Sequence, residues 1–271
     1  MKFEIVTIFP EFFRGPFEHG IIRRAREAGL VEINIRDLRD WTHDRHRTVD
    51  DRPFGGGEGM VLKPEPIFEC MEALGVAGRE QRVSGDVKDS VVLTSAGGQM
   101  FTQQLATHFA QIERVVLLCG RYEGVDERVS EHIADREVSV GDYVLSGGEL
   151  AAAIIVDAVT RLIPGALGNE ASAWQESFSA NERSFAGDGP DSTCASRGLL
   201  DYPHYTRPAE FRGLAVPEVL MNGDHAAIRR WRRQKALEKT MRNRPELLKQ
   251  AALSKEDQVL LAQIEREKSS D

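Results

Sequence analysis

Three short loops carry the residue types best suited to holding a small ligand. They span residues 95–98, 120–124 and 141–149, and each is rich in glycine. Glycine lets backbone donors and acceptors approach a ligand closely, and ligands of open α/β sheets bind beyond the carboxyl ends of strands. One such loop alone indicates a tight turn, whereas three together predict a pocket.

The glycine spacing does not match the common nucleotide sites. The pattern GxxxxGK[ST] is missing, and Gly55-x-Gly57-x-Gly59 neither follows a predicted strand nor has dinucleotide spacing. Nucleotide hydrolysis and Rossmann-type binding are therefore poorly supported.

A polar loop precedes that glycine run. Residues 41–52 mix arginines and aspartates, whose charges nearly cancel, with His43 and His46. Mixed charge of this kind is typical of a solvated, salt-bridged loop. The alternative is a loop that orders around a polar or phosphorylated ligand, with both histidines as donors. Two histidines at i and i+3 do not make a metal site without further ligands.

A basic stretch lies near the carboxyl end. Residues 229–244 contain eight basic side chains and one acid, Glu238, in a chain of net charge −8. This concentration favours contact with a phosphate backbone over a simple solvated surface. Trp231 within it is suited to stacking on a base and equally suited to a core position.

The elements that must position these residues alternate between strand and helix. Strands are predicted at 3–9, 31–36, 91–94 and 115–119, and helices at 10–28, 62–74, 101–109, 125–133 and 149–163. Alternation predicts an α/β domain with a mostly parallel sheet over residues 1–168. A polar stretch within 169–200 indicates a linker. Residues 201–271 predict a small all-helical domain, with Asp224 and Ser254 as helix N-caps.

Composition excludes several classes of protein. The chain has 271 residues, 41% of them hydrophobic, and no apolar run long enough to span a membrane. Its start is too short and too acidic for a signal peptide, so we expect a cytoplasmic protein. Its three cysteines form no CxxC pattern, which argues against a disulfide framework or zinc site. The acidic balance argues against indiscriminate polyanion binding, and no DNA partner is expected.

Five segments carry a resemblance to a known family. They are residues 42–53, 119–129, 140–149, 161–168 and 203–208, the last reading ProHisTyrThrArgPro. Together they resemble the bacterial tRNA (guanine-N1)-methyltransferases, the TrmD family of the SPOUT superfamily. The resemblance implies a trefoil-knotted α/β domain that binds S-adenosylmethionine, and a homodimer with active sites between subunits. It also implies methylation of N1 of the guanosine just 3′ of the tRNA anticodon. Periodicity alone would not predict a knot, because threaded chains are rare.

The resemblance assigns site residues by position, and its cofactor positions fall on the three glycine loops. These positions are Leu93, Thr94, Ser95, Ala96, Gly98, Gly120, Arg121, Tyr122, Glu123, Gly124, Val140, Gly141, Tyr143, Leu145, Ser146, Gly147 and Gly148. The substrate positions it implies are His46, Arg47, Asp50, Gly59, Asp201 and His204, to which local charge adds Arg229, Arg230, Arg232 and Arg233. For Asp201 and His204 a structural role as cap or turn residues is nearly as well supported. The family can require Mg²⁺, which would lie near Glu123, although no spacing here demonstrates a metal site.

The chemistry of N1 methylation requires a base and a cation. Guanine N1 carries a proton at neutral pH, so a carboxylate is needed to accept it and a positive group to hold the charge developing at O6. In the family pattern an arginine matches Arg161, and the catalytic aspartate aligns with Glu176. Glutamate adds one methylene, and a misplacement of about 1 Å can cost on the order of 100-fold in rate. Taken alone, Glu176 would be a surface carboxylate.

Two further departures from the family lie in loops. The segment 177–198 is longer than the corresponding segment usually is in the family, and Ala96 stands where proline is common in the family. Two alternatives follow: a knotted methyltransferase with another RNA target, or a tRNA-binding protein whose catalysis is impaired.

Overall fold

The four strands predicted before residue 140 lie, with a fifth, in one parallel sheet of the computed structural model, which describes residues 1–84, 88–168, 176–179 and 198–268. The chain divides into two compact units, Met1–Gly168 and Asn169–Asp271. Most of the segment predicted as a linker, residues 169–200, lies outside the described residues.

The sheet of the first unit has five strands in the order β2-β1-β6-β5-β7, with every neighbouring pair parallel. Their bounds are β1 Lys2–Thr7, β2 Glu32–Asp37, β5 Asp89–Met100, β6 Arg114–Cys119 and β7 Arg136–Ser139. Two short strands, β3 Asp50–Asp51 and β4 Val61–Leu62, pair separately as an antiparallel ribbon. The predicted mostly parallel α/β architecture is confirmed.

Six α-helices accompany the sheet within the described part of the first unit. They are α1 Gly20–Glu27, α2 Pro64–Ala73, α3 Arg79–Ser84, α4 Gln103–Phe109, α5 Glu127–His132 and α6 Glu149–Thr160. Helices α1 and α4 each contact α6, and α2 contacts α5. Alternate residues of β6 accordingly join different apolar clusters: Val115 and Leu117 one, Val116 and Leu118 the other. Period-two alternation in a strand buried on both faces produces this division.

Several predicted boundaries need correction. The helix expected over 10–28 is a short 3-10 helix, Pro10–Phe13, followed by turns and then α1. Gly15 (φ +99°) precedes Pro16 there, and a proline disfavours helical backbone in the residue before it. Helix α6 ends at Thr160 rather than at residue 163, because Pro164 has no N–H to donate to the Thr160 carbonyl.

Two features of the sheet were not predicted. Strand β7 is only four residues long and contains Arg and Glu, so it lacks an apolar run. Strand β5 continues to Met100 instead of ending at Thr94, with a shift of register against β7 between Thr94 and Gln99. The first glycine loop, residues 95–98, is therefore an irregularity within a strand.

The second unit is built mainly from three helices. They are α7 His225–Asn243, α8 Pro245–Gln250 and α9 Lys255–Lys268. Asp224 caps α7 by accepting from the amides of Ala226 and Ala227, as predicted. Ser254 and Asp257 bond each other's backbone amides in a reciprocal cap of α9. The buried residues of this unit's apolar cluster are Leu199, Leu237, Leu260 and Ile264.

The expectation of an all-helical second domain is wrong in one detail. Strands β8 Glu210–Phe211 and β9 Leu214–Ala215 form a small antiparallel hairpin. Its strands are too short to show alternation, and its turn, Arg212-Gly213 with both residues at positive φ, is not one of the dipeptides that signal a hairpin. In the described part of the chain no helix has the length and apolar character needed to cross a membrane.

Candidate active site

The three predicted glycine loops meet in the first unit. The Gly120 amide donates to Thr94 Oγ1 at 3.3 Å, and the Gly148 amide donates to the Gly120 carbonyl at 2.8 Å. A Cβ added at Gly148 would overlap Thr94 Oγ1, and one added at Gly98 would overlap the backbone of Glu137 and Val138. These two glycines are needed where protein segments approach each other, not only where a ligand would.

A buried ion pair connects the second and third loops. Arg121 Nε lies 2.9 Å from Glu149 Oε2, and Arg121 Nη1 donates to the Ser146 carbonyl at 2.9 Å. Glu149, the first residue of α6, also accepts from Thr7 Oγ1 at 2.7 Å, at the end of β1. A Cβ at Gly147 would overlap the Arg121 side chain, so this glycine admits the arginine.

Glu149 was not predicted as a site residue. Its carboxylate is 1% exposed, and a buried carboxylate is costly unless it is paired as this one is. The sequence signal available was an acid in the first turn of an Ala-rich helix, which is common and points only to helix start. The contact with Arg121 exists only in the folded chain.

The cofactor positions differ in accessibility. Leu93, Thr94 and Gly148 are buried, whereas Ala96, Tyr122, Glu123, Tyr143 and Ser146 are exposed. The remaining cofactor positions are of intermediate burial: Ser95, Gly98, Gly120, Arg121, Gly124, Val140, Gly141, Leu145 and Gly147. The loops thus combine a buried, interlocked base with an open rim that a ligand can reach.

The Tyr143 side chain folds back over its own loop. Its hydroxyl donates to the Val140 carbonyl at 3.1 Å, and a Cβ at Gly141, which has φ +156°, would overlap the tyrosine ring. Gly141 therefore lets the third loop turn tightly under Tyr143.

Backbone hydrogen bonds place the glycine run beside the second loop. The Glu123 amide donates to the Met60 carbonyl, and the Leu62 amide donates to the Gly124 carbonyl, both at 3.0 Å. The Glu123 side chain occupies the space that a Cβ at Gly59 would need. Gly59, a predicted substrate position, therefore lies directly against Glu123, a predicted cofactor position.

The charged loop at residues 41–52, which precedes the glycine run, is held in place by hydrogen bonds and ion pairs of its own side chains. Arg47, at φ +52°, pairs with Asp40, and Asp44 accepts from the His46 amide at 3.1 Å and from Thr48 Oγ1 at 2.7 Å. The Thr48 hydroxyl bond is the main cause that lowers the pKa of Asp44. The loop is thus salt-bridged, and the side chain of His46 stays exposed. Asp50 begins the β3–β4 ribbon at the end of this loop.

Asp201 contacts three side chains from different parts of the second unit. Its Oδ1 accepts from Lys239 Nζ at 2.7 Å and from Ser177 Oγ at 3.0 Å, and His204 Nε2 lies 3.4 Å from its Oδ2. Burial acts to raise the pKa of Asp201, but the bonds from Lys239, Ser177 and His204 outweigh it, so the pKa is lowered. The contacts give Asp201 a structural function and join the segment after Glu176 to α7.

The two predicted catalytic residues belong to different units. Arg161 follows α6 in the first unit, where its amide donates to the Asp157 carbonyl at 3.2 Å. Glu176 begins the described segment 176–179 in the second unit, and its carbonyl accepts from the Ser179 amide at 3.3 Å. Backbone bonds from Phe178 to Leu199 and from Gly198 to Ser179 hold that segment beside residues 198–201.

The basic helix does not present all its charges to solvent. Arg233 forms a buried pair with Asp257, with Nε 2.6 Å from Oδ1, so its interpretation as a substrate contact needs correction. Burial would raise the pKa of Asp257, but the Arg233 and Ser254 bonds outweigh it and lower the pKa. Arg230 is exposed, whereas Arg229 and Arg232 are partly buried. A helix covered by arginines on more than one face must bury some of them against its own unit.

The described cysteines and carboxylates give no sign of a metal centre. Cys70 and Cys119 are buried and free, and burial raises the pKa of the Cys70 thiol to about 12 and that of Cys119 also well above its usual value. Across the described ranges no group of three or more His, Cys, Asp or Glu side chains is placed to hold an ion. Cys194 lies outside the described residues.

The fold and the site together define a class of protein: a parallel α/β domain with interlocked loops at the carboxyl ends of its strands, followed by a second unit that carries one strongly basic helix. The family model for "tRNA (Guanine-1)-methyltransferase TrmD" matches residues 1–250. The chain belongs to this family, and the family and enzyme predictions are confirmed. Family membership also makes the first unit a SPOUT-type knotted domain.

Curated relatives agree over nearly the full length. A "tRNA (guanine-N(1)-)-methyltransferase" of Koribacter versatilis is 66% identical over 264 residues, covering 97% of this chain and 98% of that protein. Proteins of the same name from Geobacter metallireducens and Dictyoglomus turgidum are 48% and 47% identical, each covering 98% of both chains. The predicted tRNA guanine-N1 methylation agrees with the activity of this family, whose methyl donor is in general S-adenosylmethionine.

Proposed function

We propose that this protein transfers a methyl group from S-adenosylmethionine to N1 of the guanosine 3′ of the tRNA anticodon. The observation that carries the proposal is the meeting of the loops after β6 and β7 with Thr94, which directly precedes the irregular first loop within β5, beside the Gly59 segment. The second and third loops lie within two of the segments that resemble the family, residues 119–129 and 140–149. The reaction would take place in the cytoplasm, where tRNA is found.

The loop residues fit S-adenosylmethionine. Backbone groups at 95–98, 120–124 and 140–148 offer donors and acceptors for a nucleoside, and the exposed Tyr122 and Tyr143 rings offer apolar surface. The bound cofactor supplies an electrophilic methyl group. Arg121 and Glu149 hold the second and third loops in one arrangement before anything binds, which reduces the ordering cost of binding.

Proton removal from guanine N1 is assigned to Glu176, and Arg161 is assigned to the charge that develops at O6. A carboxylate is the appropriate base because N1 must lose its proton before it attacks, and a guanidinium stays cationic throughout. The tRNA anticodon loop, which carries the guanosine to be methylated, would be bound beside the cofactor loops by His46, Arg47, Asp50 and Gly59. Mg²⁺ near Glu123 is part of the proposal, because this ion is commonly held by one carboxylate with substrate oxygens.

The second unit would bind the tRNA. We assign residues 1–168 to the cofactor, 169–200 to an active-site cover and 201–271 to tRNA, with Arg229, Arg230 and Arg232 as phosphate contacts. These arginines lie on one helix of a chain that is acidic overall, so local charge would direct binding.

We also propose a homodimer. Leu150 and Ile154 are exposed one turn apart on α6, at 49% and 44%, and Val144 in the third loop is 88% exposed. Apolar side chains exposed at i and i+4 beside a ligand site favour burial by a partner subunit.

The decisive experiment measures methyl transfer from labelled S-adenosylmethionine to unmodified tRNA with guanosine after the anticodon. A transcript with that single base changed and a ribosomal RNA fragment serve as parallel acceptors, each with and without a chelator of Mg²⁺. We expect transfer to the first tRNA alone. Transfer to ribosomal RNA would indicate another target, and tRNA binding without transfer would indicate an impaired enzyme.

A further inference from the structure

An aromatic cavity in the second unit is separate from the cofactor loops in sequence and composition. Its volume is about 850 Å³, and its walls come from residues 202–209, the end of the β8–β9 hairpin, the turn at 220–221 and the first turns of α7. Cavities of roughly 300–1,000 Å³ are the size that holds small ligands or parts of larger ones.

Four aromatic rings line this cavity. The rings of Tyr205 and Trp231 are 6.3 Å apart and inclined at 54°, and those of Tyr202 and His204 are 4.7 Å apart at 44°. Tyr205 is 50% exposed. Tilted pairs with solvent access offer ring faces on which an unstacked nucleobase can stack, the usual way proteins hold single-stranded RNA.

The charge around the cavity is positive. The Arg232 guanidinium lies 4.8 Å from the centre of the Tyr202 ring, and Arg207 also lines the wall. Among the described residues that line the cavity there is no Asp or Glu. Cations beside aromatic faces suit a base attached to a phosphate better than they suit an uncharged apolar ligand.

We propose that this cavity binds one unstacked nucleobase of the tRNA, with Arg207 and Arg232 neutralising the adjoining phosphates. The inference rests on the proposed function and specifies how the second unit holds its substrate. It gives Trp231 a direct contact with RNA.

The first test compares tRNA affinity of the full-length protein and its Trp231→Leu and Tyr205→Leu variants. Loss of stacking should weaken binding about 10- to 100-fold for each, while Trp231→Phe keeps most of the affinity. Phe211→Leu is the matched control, because Phe211 is a 58% exposed aromatic of the same unit that does not line the cavity. Thermal unfolding of each variant shows whether the unit stays folded. Wild-type affinity in a folded Trp231→Leu variant would overturn the proposal.

The second test identifies the base. A set of tRNAs, each lacking one base of the anticodon loop, is titrated against the wild type and Trp231→Leu. At the bound position, removing the base and replacing the tryptophan should cost no more together than either alone. Such coupling at one position supports the proposal, and that position shows whether the cavity binds the guanosine to be methylated or a neighbouring base. Additive losses at every loop position would refute it.

Failure of this inference is distinguishable from failure of the proposed function. A wild type that methylates tRNA while Trp231→Leu binds normally retains the function and removes the cavity from it. A wild type that neither binds nor methylates tRNA removes the function itself.

Discussion

Single residues predicted to belong to the site also make contacts within the fold. Asp201 holds Ser177, Lys239 and His204 together, and the same residue matches a family substrate position. Arg233 shows the opposite outcome, because its pairing with Asp257 commits its charge to the unit's interior. Residue type and local charge could not distinguish these cases, since Ser177 and Lys239 lie 24 and 38 residues from Asp201, and Asp257 lies 24 residues from Arg233.

Glu176→Gln and Arg161→Ala test the catalytic assignment. The amide of glutamine cannot accept the N1 proton, and alanine removes the cation, so each change should lower methyl transfer at least about 100-fold. Affinity for S-adenosylmethionine should change little. The control is Glu256→Gln, an exposed carboxylate of the second unit, with turnover expected at the wild-type level. Normal turnover in both variants would remove the assignment.

At the scale of elements, the site depends on contacts between loops that follow different strands. Thr94 lies within β5, Gly120 and Arg121 follow β6, and Gly148 and Glu149 stand where the loop after β7 enters α6. The loops were predicted from their glycines, and their meeting at one edge was predicted from parallel strands. The buried pair that joins them was not, because it depends on side-chain positions fixed only by packing.

Glu149→Gln tests whether this pair positions the cofactor loops. Removing the charge leaves the partly buried Arg121 without its carboxylate partner. Arg121 then holds the Ser146 carbonyl, and with it the third loop, less firmly, so cofactor affinity should fall about 10-fold or more. The rate at saturating cofactor should fall less, which shows as a rise in KM with a smaller change in kcat.

Asp135→Asn is the matched control for Glu149→Gln. Asp135 forms another buried pair of the first unit, with Arg82 on α3, and it directly precedes β7, at the end of that strand opposite to the loops. The Asp135→Asn substitution should lower the melting temperature without changing cofactor affinity. Equal losses of affinity in the two variants would mean that the Arg121–Glu149 pair acts through stability alone.

The whole molecule combines an acidic composition with a basic helix. Its net charge of −8 opposes unspecific binding to RNA, whereas the arginines of α7 concentrate positive charge on one helix, where we expect phosphate to bind. Of the four arginines predicted to contact tRNA, Arg230 is exposed, and Arg233 is paired inside the unit. The expected electrostatic contact is therefore smaller than the sequence count suggests.

The salt dependence of tRNA binding measures this contact. Replacing Arg229 and Arg230 by glutamine should weaken binding and reduce the slope of log affinity against log salt by about 1 to 2. Arg233→Gln, the comparison variant, should lower the melting temperature of the second unit and leave the slope unchanged. A slope that does not differ between wild type and the double variant would exclude α7 from phosphate contact.

The alternation of strands and helices, the family and the three glycine loops could all be predicted from the sequence alone. These follow from local periodicity, from glycine and cap residues, and from motifs that are contiguous in the chain. Three features become visible in the folded chain alone: Gly98 and Gly148 accommodate neighbouring backbone and side chains, Glu149 pairs with Arg121, and aromatic residues from 202–205 and 231 line one cavity. Each of these is a contact between residues far apart in sequence, and no local pattern records which distant side chain will fill the space beside a given one.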